Sequence, residues 1–131
     1  MSTLEKLLAD GALARAALRT CGFPLAIVDA GAPGRPLVYA NPAFEGFFGL
    51  RPGEAVGLPL ALAIFRGDEA QLYRLLAQAP SRRELETWSK DGSMRHVEMT
   101  LSALRNPDGR LTHWVVGFAD LQRLKALAVA A

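Results

Sequence analysis

Residues 83–121 contain two tight-turn signals separated by an alternating stretch, and this pattern restricts the fold more than any other feature of the chain. The turns read Lys90-Asp91-Gly92 and Asn106-Pro107-Asp108-Gly109, which are the residue types that short chain reversals require. Between the turns, apolar and polar residues alternate as they do in a half-buried strand. The apolar positions are Val97, Met99, Leu101 and Ala103, and the polar positions are His96, Glu98, Thr100 and Ser102. We therefore predict three consecutive antiparallel strands.

The central part of the chain, residues 23–80, adds two strands and a group of helices. The segments "PLAIVDA" at 24–30 and "PLVY" at 36–39 read as strands, with the turn "GAPGRP" between them. Asn41-Pro42 ends the second strand, and short helical pieces follow it. A longer helix is predicted over 68–79, with Asp68 as its N-cap. Five antiparallel strands, with the helices grouped between the second and the third, make an α+β domain.

Residues 2–22 have the pattern of an amphipathic helix. Ser2 and Glu5 match a capping box, and Gly22 is a suitable stop. One stripe at helical spacing contains Leu4, Leu7, Leu8, Gly11, Ala14 and Leu18. Gly11 weakens the middle of this helix by about 1 kcal/mol relative to alanine. The small members of the stripe allow close approach of another element, so the stripe either covers the sheet or also packs against a second copy of itself.

Composition sets a few further limits on function. The chain has 131 residues and a formal net charge of +2, which suits one domain and gives no argument for nucleic-acid binding. The longest apolar run, residues 56–65, is far shorter than the ~18 residues that a membrane span needs. The single cysteine, Cys21, excludes an internal disulfide framework and indicates a reducing, cytoplasmic location.

The order of these elements and motifs resembles that of PAS sensor domains. The resemblance rests on "VYANPAF", "KDGS" and "NPDGRLTHWVVGFADL", and it covers residues 22–121. It implies a PAS fold: a five-stranded antiparallel sheet with short helices and one longer helix on one face. The chain then divides into an N-terminal helix (1–21) for capping or dimerisation, the PAS domain (22–121) and the start of a C-terminal output or linker helix (122–131). In the family, the corner that corresponds to residues 41–44 turns the chain into the short helices, and we interpret it as structural rather than as a ligand contact.

Within that family, "GRPLVYANPAFEGFFGLRPGEAVG" followed by "FRGD" resembles the flavin-binding blue-light group, the LOV domains. Those domains carry a reactive cysteine at a position that Leu60 or Leu62 occupies here. They contact the flavin ring with two Asn and one Gln side chain, and the matching positions are Thr87, Val97 and Phe118. Each buried polar atom of the flavin left without a partner would cost about 1–3 kcal/mol. We therefore expect no cofactor, and flavin bound without cysteinyl photochemistry is the alternative.

Strand alternation also assigns an inward face to the last three strands. Its residues are Leu85, Thr87, Val97, Met99, Leu101, Trp114, Val116 and Phe118. We expect a packed apolar core there. The alternative is a small apolar cavity between the sheet and the helices, lined by Leu60, Leu62, Met99, Leu101, Trp114 and Val116. Arg66 and Arg74 are the side chains that would contact the phosphate of a bound flavin, but we expect both at the surface.

Haem binding, metal binding and catalysis find little support in the sequence. The predicted helix at 68–79 contains no histidine, although haem-binding relatives usually place their iron ligand there. Tyr73 lies in this helix, but no other feature of the sequence supports it as an iron ligand. We expect His96 and His113 at the surface. Clustered Cys, His or carboxylate residues at metal-site spacing are missing from the sequence, and no nucleophile–base arrangement is visible. The prediction is a protein without a metal and without enzyme activity.

Two classes of function remain. One is a non-catalytic sensory or interaction module that dimerises and relays a signal to an effector domain or partner protein. The other is a small-molecule receptor, with flavin as one special case. A homodimer is expected through the N-terminal helix, the outer sheet face or both, because Trp88 and Val115 alternate onto that otherwise polar face. Nucleic acid and membrane are not expected as partners.

Overall fold

The computed structural model describes residues 11–122. Its helices are α1 (Ala12–Thr20), α2 (Pro42–Phe47), α3 (Leu60–Ile64) and α4 (Glu69–Leu76). Its strands are β1 (Leu25–Asp29), β2 (Leu37–Ala40), β3 (Ser81–Trp88), β4 (Met94–Arg105) and β5 (Leu111–Asp120). The predicted order of strands and helices is therefore confirmed within this range.

The five strands form one antiparallel sheet in the order β2-β1-β5-β4-β3. The last strand in the chain, β5, lies at the centre, with Val28 of β1 opposite Trp114 on one side. On its other side, Met99 of β4 is opposite Phe118. This arrangement confirms the predicted α+β architecture with a five-stranded sheet.

The apolar core lies between one face of the sheet and helices α2 to α4. Both long strands bury every second residue towards this face, as alternation predicts. The buried members are Val97, Met99, Leu101, Trp114, Val116 and Phe118. Phe44, Leu60 and Leu72 reach the same core from α2, α3 and α4, so the helices close the inner face.

Both predicted hairpin turns are present. In the first, the Asp91 carboxylate accepts hydrogen bonds from the backbone N–H and the hydroxyl of Ser93. In the second, the Asn106 side-chain oxygen accepts from the N–H groups of Asp108 and Arg110. Gly92 has a φ of 89°, a backbone conformation that favours glycine over any residue with a Cβ.

Two helix predictions need correction at their ends. The helix predicted over 2–22 begins at Ala12 in the described residues, because Gly11 has a left-handed φ of 74° that no continuous right-handed helix contains. Residues 1–10 and 123–131 lie outside the described range, and with them Leu4, Leu7 and Leu8. The longer helix is α4, which ends at Leu76 rather than at residue 79, and Pro80 disfavours helical geometry just before it. Asp68 is its N-cap, as predicted, and accepts from the Gln71 N–H at 3.1 Å.

Helix α1 projects from the domain with most of its surface open. Leu13, Ala14 and Ala17 are exposed, and Leu18 is half-buried. An amphipathic helix normally buries its apolar stripe against another element. Within residues 11–122, α1 does not cover the sheet with the predicted stripe.

One side chain, Asn41, fixes the corner between β2 and α2. It is fully buried, and its Oδ1 accepts hydrogen bonds from the N–H of Leu25 at 3.0 Å and of Phe44 at 2.9 Å. The second of these bonds is the N-cap of α2, and Pro42 follows at its first position. Its Nδ2 lies within hydrogen-bond distance of the carbonyls of Leu18, Cys21 and Phe23, at 3.1, 3.4 and 2.9 Å. Asn41 thus joins α1, β1 and α2.

We predict that Asn41→Asp separates the two roles of this side chain. A carboxylate still accepts from Leu25 and Phe44, but it has no N–H for the three carbonyls, which would then face a negative charge. Unfolding free energy should fall by about 2–4 kcal/mol, since buried polar groups lose their partners. Trypsin should also cleave after Arg19 faster than in the wild type.

The matched control is Asn106→Asp, since Asn106 uses only its acceptor oxygen in a surface turn. Urea denaturation and timed proteolysis report the two effects. Equal stability and equal cleavage rates for both variants would contradict the assigned role of the Asn41 amide.

Candidate functional site

Aromatic rings fill the space between α2 and the sheet. The Phe118 ring lies 5.1 Å from that of Phe48 and 6.0 Å from that of Phe44, measured between centroids. Phe44 and Phe48 are themselves 4.7 Å apart. These tilted and edge-on contacts are the geometries that aromatic pairs prefer. The sequence "NPAFEGFF" therefore provides buried aromatic side chains of the core in addition to the corner after β2.

The three positions that correspond to flavin contacts come together on the inner face. Thr87, Val97 and Phe118 belong to the adjacent strands β3, β4 and β5, and all three are buried. Val97 and Phe118 carry no polar side-chain atom. The Thr87 hydroxyl is buried without a hydrogen-bond partner among the described residues. It is thus the one member of this set able to meet a polar group.

Most of the side chains predicted to line a sheet–helix cavity are core residues. Leu60, Met99, Leu101, Trp114 and Val116 are each at most 8% exposed. Leu62 differs from these residues, because its side chain is 56% exposed while its neighbours Ala61 and Ala63 are buried. The turn of α3 directs Leu62 away from the core.

The expectation for Trp88 also needs correction. Alternation predicts Trp88 on the outer face, but the Arg66 guanidinium lies 4.1 Å from its ring centroid. Both residues border a recess of about 310 Å³ that Leu62 also lines. Trp88 is the last residue of β3, which is an edge strand paired on one side with β4, where Met94 lies opposite Trp88. Arg74, by contrast, is exposed on α4, as expected.

A larger concavity, which we call the α2–β5 pocket, lies at the other end of the domain. Its volume is about 660 Å³, within the range of small-molecule sites. Ala43, Gly46 and Phe47 line it from α2, Phe118, Ala119 and Asp120 line it from β5, and Gly22, Phe23, Pro24 and Arg95 complete it. Spacings of three and four residues place the α2 members on one helix face. Their small size leaves the space open.

Two opposite charges lie at this pocket. The Arg95 Nη1 is 3.6 Å from Asp120 Oδ2, and the Arg95 guanidinium is 4.8 Å from the Phe47 ring centroid. The other carboxylate oxygen of Asp120 accepts from the Gln122 N–H at 3.0 Å. Residues 121–122 begin a helical turn, so this carboxylate lies between the pocket and the segment that follows the sheet.

Glu54, in the segment between α2 and α3, connects that segment to the first hairpin. Glu54 forms ion pairs with Lys90 and with Arg51. The hydrogen bond from Lys90, aided by the Arg51 backbone N–H, lowers the pKa of Glu54 to about 2. The Lys90 backbone N–H also donates to the Phe48 carbonyl at 2.9 Å. The hairpin is thus fastened beside α2.

The histidines and Tyr73 are not assembled into a site. His96 and His113 are half-buried, and the Nδ1 of His113 lies 3.0 Å from the Thr112 hydroxyl. Tyr73 is exposed, and its ring lies beside Arg35. Within residues 11–122 no group of three or more potential metal ligands occurs. In the same range no helix has the length and apolar character to cross a membrane.

The fold and these motifs define a class of protein. A family model for the PAS fold matches residues 14–121. The chain therefore belongs to the PAS family, as the motifs in the sequence indicate, and PAS domains of this kind are sensory modules in signal transduction.

The similar proteins include light receptors. A blue-light-activated histidine kinase of Brucella canis is 27% identical over 112 residues, which are 82% of this chain and 23% of that protein. The same enzyme of Brucella ovis matches equally. The chain thus spans about a quarter of the length of these relatives.

Solved structures give the same result. The structure of an RNA-binding light-oxygen-voltage receptor is 29% identical, with a TM-score of 0.74, over 99% of this chain and 40% of that chain. A PAS domain from Colwellia psychrerythraea has the same TM-score of 0.74 at 14% identity, over 86% of this chain and 97% of that one, which shows the fold alone.

The side chains present do not fit the flavin that the resemblance to LOV domains implies. Phe118 fills the inner face against Phe44 and Phe48, and Val97 beside it cannot donate or accept a hydrogen bond. Thr87 alone offers a polar atom. A planar polar ring would have to displace packed aromatic side chains and leave most of its edge without partners.

Sequence reasoning did not identify the α2–β5 pocket. Its charged residues, Arg95 and Asp120, lie at a strand start and a strand end, and only the sheet brings them together. One local signal was available: Ala43 and Gly46 place two small residues on the same helix face as Phe47.

We predict that Phe118→Ala lowers the unfolding free energy by about 3–5 kcal/mol, the usual cost of truncating a buried Phe. Phe118→Gln should also destabilise, because it places an amide among Phe44 and Phe48. Exposed Leu104, at the outer end of β4, provides the control variant Leu104→Ala, for which little change is expected. Unchanged melting temperatures for both Phe118 variants would show that the ring is not packed.

We predict a contribution of Glu54 to stability that depends on pH. Its folded-state pKa lies below the ordinary 4.5, so folding favours the charged form. The contribution is complete above the unfolded-state pKa and is lost as the pH falls towards about 2. Between these limits, Glu54→Gln should lose less stability than the wild type. Parallel slopes in acid titrations of both proteins would contradict this.

Proposed function

We propose that the chain is a non-catalytic PAS sensory module that dimerises through α1 and relays a signal to an effector. The observation that carries the proposal is the exposed α1, which is anchored to the core at its C-terminal end by Asn41. An apolar helix surface held in a fixed direction suits a two-fold contact with the same surface of another copy. Gly11 and Ala14 permit close approach there.

Two segments connect the domain to neighbouring parts of a signalling protein in this proposal. One is α1, whose last carbonyls bond to Asn41, and the other is the helical turn that Asp120 caps. A shift in how these segments pack would change the orientation of whatever adjoins them. The kinase and RNA-binding relatives support a role beside an effector. We place the protein in the cytoplasm on the basis of its composition.

We further propose that signalling here does not use stoichiometric flavin. One argument is that the side chains of Phe118 and Val97 do not fit a flavin ring. The other is that leucine occupies the positions at which the reactive cysteine would lie. The alternative function is a small-molecule receptor. The α2–β5 pocket favours this alternative over a cavity on the inner face, where Leu60, Leu101 and Val116 are fully packed.

The test is the mass of the intact chain and of a version lacking residues 1–16, measured by light scattering. The deletion ends before Ala17, so the carbonyls of Leu18, Cys21 and Phe23 remain for Asn41. We expect a dimer for the intact chain and a monomer for the shortened one. Absorption spectra of the same samples should show no flavin band.

Leu104→Glu is the matched control, because Leu104 is an exposed apolar residue at the far end of β4. This variant should remain a dimer. A monomeric intact chain would overturn the dimer proposal. A dimer that survives the deletion but not Leu104→Glu would move the interface to the sheet.

A further inference from the structure

Strand β3 lies at one edge of the sheet, and the backbone along one side of it has no partner. The strand pairs with β4 alone, over Ser81–Trp88. Within residues 11–122, the backbone hydrogen bonds of turns, loops and caps do not involve it. A free row of N–H and C=O groups is a template for pairing with another chain. We call this row the free edge of β3.

The opposite edge of the sheet is covered by the chain itself. There the Leu37 N–H donates to the Leu58 carbonyl at 2.8 Å, and the Leu37 carbonyl accepts from the Gly57 N–H at 2.8 Å. Pro36 and Pro59 form an isolated bridge beside them. The covered edge strand, β2, has four residues, whereas β3 has eight. Among the described residues, the longer of the two edges is thus the one left open.

A recess lies between α4 and β3, and we call it the α4–β3 groove. Its volume is about 260 Å³. Gln71, Arg74 and Leu75 line it from α4, at spacings that share one helix face. Arg83 and Leu85 line it from β3, and both leucines are half-buried against the core. An open strand edge with a side-chain pocket beside it is what an extended peptide uses when it adds to a sheet.

The groove side of the free edge is cationic. Arg74 and Arg83 are exposed, and the ion pairs of the described residues involve neither of them. Arg83 lies opposite Met99 in the β3–β4 ladder, on the face that the helices cover. Two guanidinium groups without carboxylate partners therefore lie beside the groove, and each has donors for an acidic side chain.

The other side of β3 carries the opposite charge. Glu84 and Glu86 alternate onto the outer face, opposite Glu98 and His96. Glu98 pairs with Arg82 at 2.9 Å, whereas the ion pairs within residues 11–122 include neither Glu84 nor Glu86. Glu84 also borders the groove. Two carboxylates are thus available on the outer side of the free edge.

This charge pattern selects one kind of strand. Side chains of an added strand alternate between the two faces, so those on the groove side meet two arginines and those on the outer side meet two carboxylates. A segment in which acidic or apolar residues alternate with basic ones satisfies both sides. A second copy of β3 does not, because antiparallel pairing over most of the strand would place Glu84 opposite Glu84 or Glu86. Opposed like charges destabilise a sheet.

From this arrangement we propose that the α4–β3 groove and the free edge of β3 bind an extended segment of a partner protein, in which acidic and apolar residues alternate with basic ones. The segment adds to the sheet as a sixth strand beside β3. Backbone hydrogen bonds hold it, while Arg74, Arg83, Glu84 and Glu86 select its sequence. The inference rests on the relay role proposed above and gives the chemistry of the partner.

Binding is measured on the full chain by fluorescence anisotropy with a labelled eight-residue peptide that repeats Glu-Lys-Val-Lys. A scrambled peptide of the same composition should bind at least tenfold more weakly. Two further versions are N-methylated at alternate residues, on the odd or on the even positions, since a methylated amide cannot donate a hydrogen bond. One version should lose binding and the other should keep it, because only every second N–H points at β3. No binding of the parent peptide at millimolar concentration, or an equal effect of both methylation patterns, would overturn the proposal.

Charge reversal locates the site. The double variant Arg74→Glu, Arg83→Glu should bind the peptide at least tenfold more weakly, and replacing the glutamates of the peptide with lysine should restore binding. The matched control is Arg105→Glu, Arg110→Glu, which reverses two exposed arginines at the second hairpin turn and should leave binding unchanged. An equal loss in both double variants would reduce the effect to net charge and overturn the assignment of the groove. Light scattering on the same samples reports dimerisation separately, so failure of this site and failure of the dimer proposal are distinguished.

Discussion

The side-chain amide of Asn41 is the constraint on which the arrangement of this domain depends. It is fully buried and uses both its oxygen and its nitrogen. A buried amide without partners would be costly, so its bonds hold only while α1, β1 and α2 keep their relative positions. The hydrogen bonds of Asn41 hold α1, the start of β1 and the backbone of Phe44 in place at this corner.

The inner face of the sheet differs from what a ring-binding PAS domain requires. Phe118 illustrates the difference, because the same ring packs against Phe48 inside the core and forms the inner end of the α2–β5 pocket. The Phe118 side chain therefore takes part both in the packed core and in the wall of the pocket at the end of β5.

Two ion pairs, Glu54–Lys90 and Arg95–Asp120, lie in different surroundings. Glu54 and Lys90 fasten the first hairpin beside α2, and the depressed pKa of Glu54 reflects that contact. Arg95 and Asp120 are farther apart than a hydrogen bond and lie in a pocket with apolar walls. The first pair joins two segments of the domain, while the second lies at the pocket beside the last residue of β5.

Features that depend on a few neighbouring residues can be predicted from the sequence. Alternation in β4 and β5, the turns at Asp91-Gly92 and Asn106, and the cap of α4 at Asp68 all follow from backbone periods and short-range hydrogen bonds. The family resemblance carried by "NPAF" depends on the same local chemistry.

The directions of side chains near the ends of elements depend on tertiary packing. Counting along the sequence does not give the directions of Leu62 and Trp88, because these depend on what packs beside α3 and at the sheet edge. Arg95 and Asp120 carry no joint signal in sequence, because the pairing of β4 with β5 is what places them together. Periodicity fixes which face a residue shares within an element, whereas long-range packing fixes which residues of different elements meet.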